Sequence, residues 1–187
     1  MNLNGKVAVV TGGRRGIGRA LALALRDAGV KVVVVAKSAD RNDLPNDIVY
    51  AGGIDLSLSS DRENLLDLLM RDSGEPNILI NNAAISHPYS ALDSPADEWG
   101  KIVEVNLTAV FDLSCQAVRL GCKRIINIAS ISAFNGARNI VGYATTKHAM
   151  IGMTKCLSNE WGSLGVTVNN IAPGFIQTDM LQLADPN

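Results

Sequence analysis

Tyr143 and Lys147 stand four residues apart, so on a helix their side chains share one face. A free phenol keeps its proton to about pH 10. A cation beside it favours the phenolate and brings the group toward the range in which it can exchange a proton with a substrate oxygen. Ser130 follows the apolar run at residues 125–129. If that run is a strand, Ser130 lies at its carboxyl end, where ligands of open α/β sheets gather, and its hydroxyl can hydrogen-bond the same oxygen. The implied chemistry is proton transfer at an alcohol or a carbonyl. A Tyr and a Lys at helical spacing are ordinarily a surface pair, so the reading depends on what accompanies them.

What accompanies them is Thr11-Gly12-Gly13-Arg14-Arg15-Gly16-Ile17-Gly18, placed between an apolar run and a helical pattern. Glycine permits unusual backbone angles and the close approach of a pyrophosphate, whose charge is drawn to the free N–H groups of a helix N-terminus. Alone, such a cluster is equally a tight turn with packing glycines; inside a βαβ unit it reads as a dinucleotide site formed by Gly12, Arg14, Arg15, Gly16, Ile17 and Gly18. The second strand of such a unit ends at the adenosine ribose, where an acidic residue suits NAD and basic residues suit the extra phosphate of NADP. Here that strand ends in Ala36-Lys37-Ser38, with no carboxylate, and Arg14, Arg15 and Lys37 are at hand. NADP(H) is therefore favoured over NAD(H) by charge complementarity. The alternative is that these cations are simply solvated.

Hydrophobic periodicity supplies the elements that would position these groups. Residues 7–11 read as an apolar strand. Residues 17–28 read as a helix stopped by Gly29, and residues 32–35, four consecutive valines, as a strand covered on both faces. The alternation continues with strands predicted at 48–54, 77–81, 125–129 and 166–171, and helices at 61–71, 96–117 and 142–163. Residues 38–47 are polar and short for a crossover, and are expected to form a loop or a single turn. The pattern predicts an α/β fold, a Rossmann-type doubly wound parallel sheet with helices on both faces. The apolar face at residues 144–157 would pack either on the sheet or on another helix.

With 187 residues, 47% of them hydrophobic, the chain has material for one core and is short for two domains, so residues 1–187 are expected to be a single nucleotide-binding domain. A net charge of −1 gives no electrostatic case for nucleic acid. Apolar stretches end well before the roughly 20 residues that cross a bilayer, and the N-terminus lacks the layout of a signal peptide. No membrane partner and a cytoplasmic location are expected. Cys115, Cys122 and Cys156 lack the spacing of a zinc or redox motif and are expected to be reduced and mostly buried. His87 and His148, the only histidines, offer little to a metal, and none is expected.

Thr11–Gly18 together with Asn81-Asn82-Ala83-Ala84, Asn106, Ser130, Tyr143, Lys147 and Pro173-Gly174 resembles the short-chain dehydrogenase/reductase family over essentially the whole chain. The resemblance implies that Tyr143 is the general acid/base and that Lys147 lowers its pKa while bonding the nicotinamide ribose. It implies that Ser130 orients the carbonyl and that Asn106 holds a water in a proton relay to Lys147. It further implies Asp55 by the adenine, Asn82 by the adenosine-side ribose, and Ile17 against the cofactor, with Pro173, Gly174 and Thr178 bordering the nicotinamide.

Within the family, residues 126–130, 159–161 and 170–175 look similar to sugar-acid dehydrogenases of the gluconate and deoxygluconate type, while carrier-protein-linked 3-oxoacyl reductases share most of the same motifs. The expected activity is hydride transfer between a nicotinamide cofactor and a small alcohol or carbonyl substrate, by a dimer or tetramer. The alternatives are a 3-oxoacyl-(acyl-carrier-protein) reductase, a nucleotide-sugar epimerase or dehydratase, and a nicotinamide-binding regulator without turnover. Ala84 stands where the family usually has glycine and is expected to crowd the cofactor at most slightly. The segments around 38–47 and 119–123 are shorter than usual. The resemblance also implies a lid, a helix and a final strand beyond Asn187; without them the strand at 166–171 is expected to be a sheet edge.

Overall fold

The computed structural model describes residues 3–178. Val7–Thr11 (β1) is buried at all five positions, and Lys31–Val35 (β2) at all but its first. Consecutive β-branched residues suit a strand covered on both sides. Alternate side chains of these strands enter two different cores. Val7, Val9, Val33 and Val35 pack with Leu66, Leu113 and Trp161, whereas Ala8, Val10, Val32 and Val34 pack with Ala22. Apolar layers therefore lie on both faces of the sheet, as a doubly wound fold requires.

The remaining strands are Val49–Ala51 (β3), Ile78–Asn81 (β4), Arg124–Ile128 (β5) and Thr167–Ile171 (β6), all pairing parallel in the order β3-β2-β1-β4-β5-β6. The order reverses between β1 and β4, and a crevice forms outside the carboxyl ends of strands at such a switch point. The helices are Gly16–Asp27 (α1), Ser59–Arg62 (α2), Leu65–Ser73 (α3), Glu98–Val103 (α4), Ala109–Arg119 (α5) and Val141–Trp161 (α6). Among the described residues, β6 is one edge of the sheet, and no helix is long and apolar enough to cross a membrane.

Three expectations need correction. The helix expected at 61–71 is broken after Arg62, with Asn64 in the left-handed region at φ 54°. Its cause lies on α5: Gln116 accepts from Leu66 N at 3.1 Å and donates to Arg62 O at 2.7 Å, taking over groups that a continuous helix would pair internally. Arg62 itself is buried, donating to Leu56 O at 2.7 Å and Asp112 at 2.8 Å and pairing with Glu104 at 2.9 Å. The strand expected at 48–54 is only three residues long, because Gly52 packs against the Ser38 carbonyl and Gly53 turns the chain at φ 80°. The cysteines are free, but only Cys122 is buried; Cys156 is exposed on α6.

Other expectations hold. α4 and α5 join through a π-helical turn, Glu104–Thr108, into one helical length near 96–117. Residues 38–47 form turns without a helix. Ala144, Met150 and Leu157 of α6 are buried within the chain, so that face packs inward.

Candidate active site

Gly12, at φ 64°, opens the turn that leads from β1 into α1, and a Cβ there would lie 2.9 Å from Ala83 Cα. The turn is tied to the end of β4. Thr11 Oγ1 accepts from Asn82 N and Ala83 N at 3.0 Å each, and Asn82 Nδ2 donates to Thr11 O at 2.9 Å and Gly12 O at 3.2 Å. Asn82 thus uses its amide on the turn while lining the crevice. Gly18 does not line it: Gly18 is buried, and a Cβ there would lie 2.4 Å from Asn82 Nδ2 and 2.5 Å from Gly12 O, so its role is close packing.

α1 begins without a capping side chain, since Arg15 at its N-cap makes no cap hydrogen bond and the first turn holds no acidic residue. Its first N–H groups and the positive end of its dipole are therefore open to an anion. Gly12, Arg14, Arg15, Gly16 and Ile17 line a crevice of about 870 Å³ at this point, a volume in the range of cofactor pockets. The uncapped helix end and glycine-lined turn fit a dinucleotide pyrophosphate.

At one end of the crevice are Lys37, Ser38 and Asp55. Lys37 Nζ pairs with Asp55 at 2.6 Å, and Ser57 donates twice to the same carboxylate. The bond from Lys37, with those from Ser57, lowers the Asp55 pKa to about 2 despite its partial burial. Arg14 is likewise engaged, with Asp40 at 3.0 Å. Of the three cations expected at the ribose, Arg14 and Lys37 thus already carry carboxylate partners. That pairing was not visible in the sequence because both partners come from other segments.

At the other end stand Ser130, Tyr143 and Lys147, with Pro173 O accepting from Ile131 N at 3.0 Å; Gly174 also lines the crevice, while Thr178 lies against Gly16 of the glycine turn. Ser130 follows β5 and caps a 3-10 turn, accepting from Ser132 N at 3.0 Å. Tyr143 and Lys147 share a face in the first turns of α6, with Lys147 Nζ 5.5 Å from the centre of the tyrosine ring. Lys147 is 2% exposed and donates to Ile128 O at 2.6 Å. Burial pushes its pKa down to about 8. Burial also pushes the Tyr143 phenol above its ordinary value, and a hydrogen bond from Ser130 works against that rise. In the protein alone, desolvation is the larger influence on the phenol and Ser130 opposes it, while the Lys147 cation stands close by the ring.

Asn106 lies in the π-helical turn, fully buried and away from the crevice lining. It accepts from Ile85 N at 2.9 Å and donates to Ile85 O at 2.9 Å and Thr146 Oγ1 at 3.2 Å. Its amide therefore clamps the chain leaving β4 to α6, one residue before Lys147. Ala84 lines the crevice without left-handed backbone, so the methyl costs no strain.

Sequence reasoning missed a buried polar ladder below the site. Asn81, Asn127 and Asn170 stand in register on β4, β5 and β6. Asn81 donates to Asn127 at 2.9 Å, Asn127 to Thr154 at 2.9 Å, and Thr154 to Asn170 at 3.0 Å. An asparagine within each of three successive apolar strands was the available signal.

Fold and site together define a nicotinamide-nucleotide-dependent oxidoreductase. The chain belongs to the short-chain dehydrogenase family, whose model matches residues 6–187; its members are NAD(P)-dependent enzymes acting on alcohol and carbonyl groups. It is 40% identical to the 3-oxoacyl-(acyl-carrier-protein) reductase FabG of Escherichia coli, over 96% of this chain and 77% of that one. It is 36% identical to the 2-dehydro-3-deoxy-D-gluconate 5-dehydrogenase of Bacillus subtilis, over 95% of this chain and 73% of that one. Among solved structures, a short chain dehydrogenase from Burkholderia cenocepacia in complex with NADP superposes with a TM-score of 0.90 at 33% identity, covering 96% of this chain and 78% of that one.

Proposed function

We propose that this chain transfers a hydride between NADP(H), used in preference to NAD(H), and a small alcohol or carbonyl substrate, with Tyr143 as general acid/base. The observation that carries the reading is a single crevice with the uncapped α1 N-terminus along its wall and Ser130, Tyr143 and Lys147 at one end. When bound, the nicotinamide supplies or accepts the hydride. Ser130 donates a hydrogen bond to the substrate oxygen and shares the charge that develops on it. Tyr143 passes the proton to or from that oxygen. Lys147, fixed by Ile128 O, presents a cation beneath the ring of Tyr143 and to the ribose next to it. Asn106 keeps this part of α6 in place through Thr146. Arg14, Arg15 and Lys37 favour the extra phosphate, while Asp55 and Asn82 border the adenosine half.

The substrate end mixes Ile85, Ile140 and Phe175 with Ser86, His87 and Ser132, a lining suited to a short polar substrate. A 3-oxoacyl thioester is the second reading, favoured by the 40% identity to a reductase of that class. Titration with NADPH and NADH by nicotinamide fluorescence, followed by turnover assays on hexonates and on a short 3-oxoacyl thioester, tests both. Saturable NADPH binding with hexonate turnover is expected. Turnover of the thioester alone would replace the first reading with the second, and binding of neither nucleotide would overturn both.

A further inference from the structure

Asp40, in the loop after β2, is held from several sides at once. Arg14 Nε donates to its carbonyl oxygen at 2.6 Å and Arg14 Nη2 to its Oδ2 at 3.0 Å. The same carbonyl accepts from Tyr50 Oη at 2.8 Å and Ser38 Oγ at 3.3 Å, while Asn42 N donates to Oδ1 at 2.8 Å. The bond from Asn42, and after it that from Arg14, keeps this carboxyl below its ordinary range, so it is ionised at neutral pH. Arg14 lines the crevice; Asp40 stands behind it, with a side chain 70% exposed against 28% for Arg14.

We propose that Asp40 sets cofactor selectivity by acting as the internal counter-ion that a ribose 2′-phosphate must displace from Arg14. The inference rests on the nucleotide-site reading above. A guanidinium presents one planar fork to carboxylate and phosphate alike, so the two anions compete for it. A ribose bearing only a 2′-hydroxyl has no charge to place there and leaves the Arg14–Asp40 pair intact. Lys37 is not released by the same change, because its partner is Asp55. Asp40 thus weakens NADP(H) selectively and narrows a preference that the neighbouring cations would otherwise make wider.

Asp40→Asn tests this while retaining an acceptor for Asn42 N and the backbone carbonyl that receives Arg14 Nε. NADPH and NADH are titrated by nicotinamide fluorescence against wild type, Asp40→Asn, Arg14→Met and the double variant. The expected result is a roughly three- to tenfold tighter NADPH constant in Asp40→Asn at low salt, with NADH unchanged. The gain shrinks as salt is raised and vanishes in the Arg14→Met background. An unchanged NADPH constant, equal changes for both nucleotides, or the same gain without Arg14 would each overturn the proposal while the nucleotide site stands. A wild-type chain that binds neither nucleotide would overturn the site reading and this inference with it.

Discussion

Lys147 holds its ammonium nitrogen 5.5 Å from the centre of the Tyr143 ring, in a position where its own side chain is almost wholly buried. Among the described residues no carboxylate pairs with it, and it donates to the Ile128 carbonyl at 2.6 Å. A cation kept in such surroundings costs stability, and burial accordingly moves its pKa from 10.5 down to about 8. The arrangement is understandable if the charge serves the phenol and the nucleotide beside it.

The stability consequence has a definite sign. The folded chain releases the Lys147 proton near pH 8, whereas the unfolded chain keeps it to about pH 10.5. Between those values the unfolded state binds more protons, so this residue makes stability rise with pH there, and its penalty is fully present below pH 8. The penalty is on the order of 3 kcal/mol. Lys147→Met is expected to abolish turnover and to be more stable than wild type at pH 7, with the gap closing toward pH 10. Urea unfolding at both pH values measures it; a pH-independent gap would sink the argument.

Tyr143→Phe removes only the hydroxyl. Turnover should fall by about 10²–10⁴ if that hydroxyl moves the proton, while NADPH binding, read by fluorescence, stays near the wild-type value. Substantial residual turnover would remove Tyr143 from the acid/base role.

Ser130 acts twice, on the substrate oxygen and on Tyr143. Its hydrogen bond lowers the phenol's pKa against the effect of burial. Ser130→Ala is therefore expected to reduce kcat by about 10²–10³ and to shift the rising, acidic limb of the alcohol-oxidation pH profile to higher pH, since the phenolate has lost a donor. A lower kcat with an unmoved limb would leave Ser130 with the substrate alone.

Gly18→Ala tests packing away from the chemistry. The new methyl would meet Asn82 Nδ2 at 2.4 Å and Gly12 O at 2.5 Å, and the latter is backbone. A loss of about 1–3 kcal/mol is expected by urea unfolding, together with weaker nucleotide binding because the displaced segment is the turn. Wild-type stability would show that the turn yields more readily than this geometry allows.

The sequence by itself determined the order of elements, the glycine turn between β1 and α1, and the placing of Tyr143 and Lys147 on one helix face. All three are local: apolar period, glycine position and residue spacing are properties of a few neighbouring positions. The tertiary structure decided what depends on distant segments. Asn64 breaks a helix that periodicity alone would continue, because Gln116 and the buried Arg62 bind there across some 50 residues of chain. Arg14 and Lys37 look alike as sequence cations, yet each meets a different carboxylate once β2 and its following loops are placed. The asparagine ladder exists only in the register of three parallel strands. Lys147 likewise owes its altered pKa to burial, a quantity that no spacing encodes, because desolvation is set by every atom packed around a group and not by its neighbours in the chain.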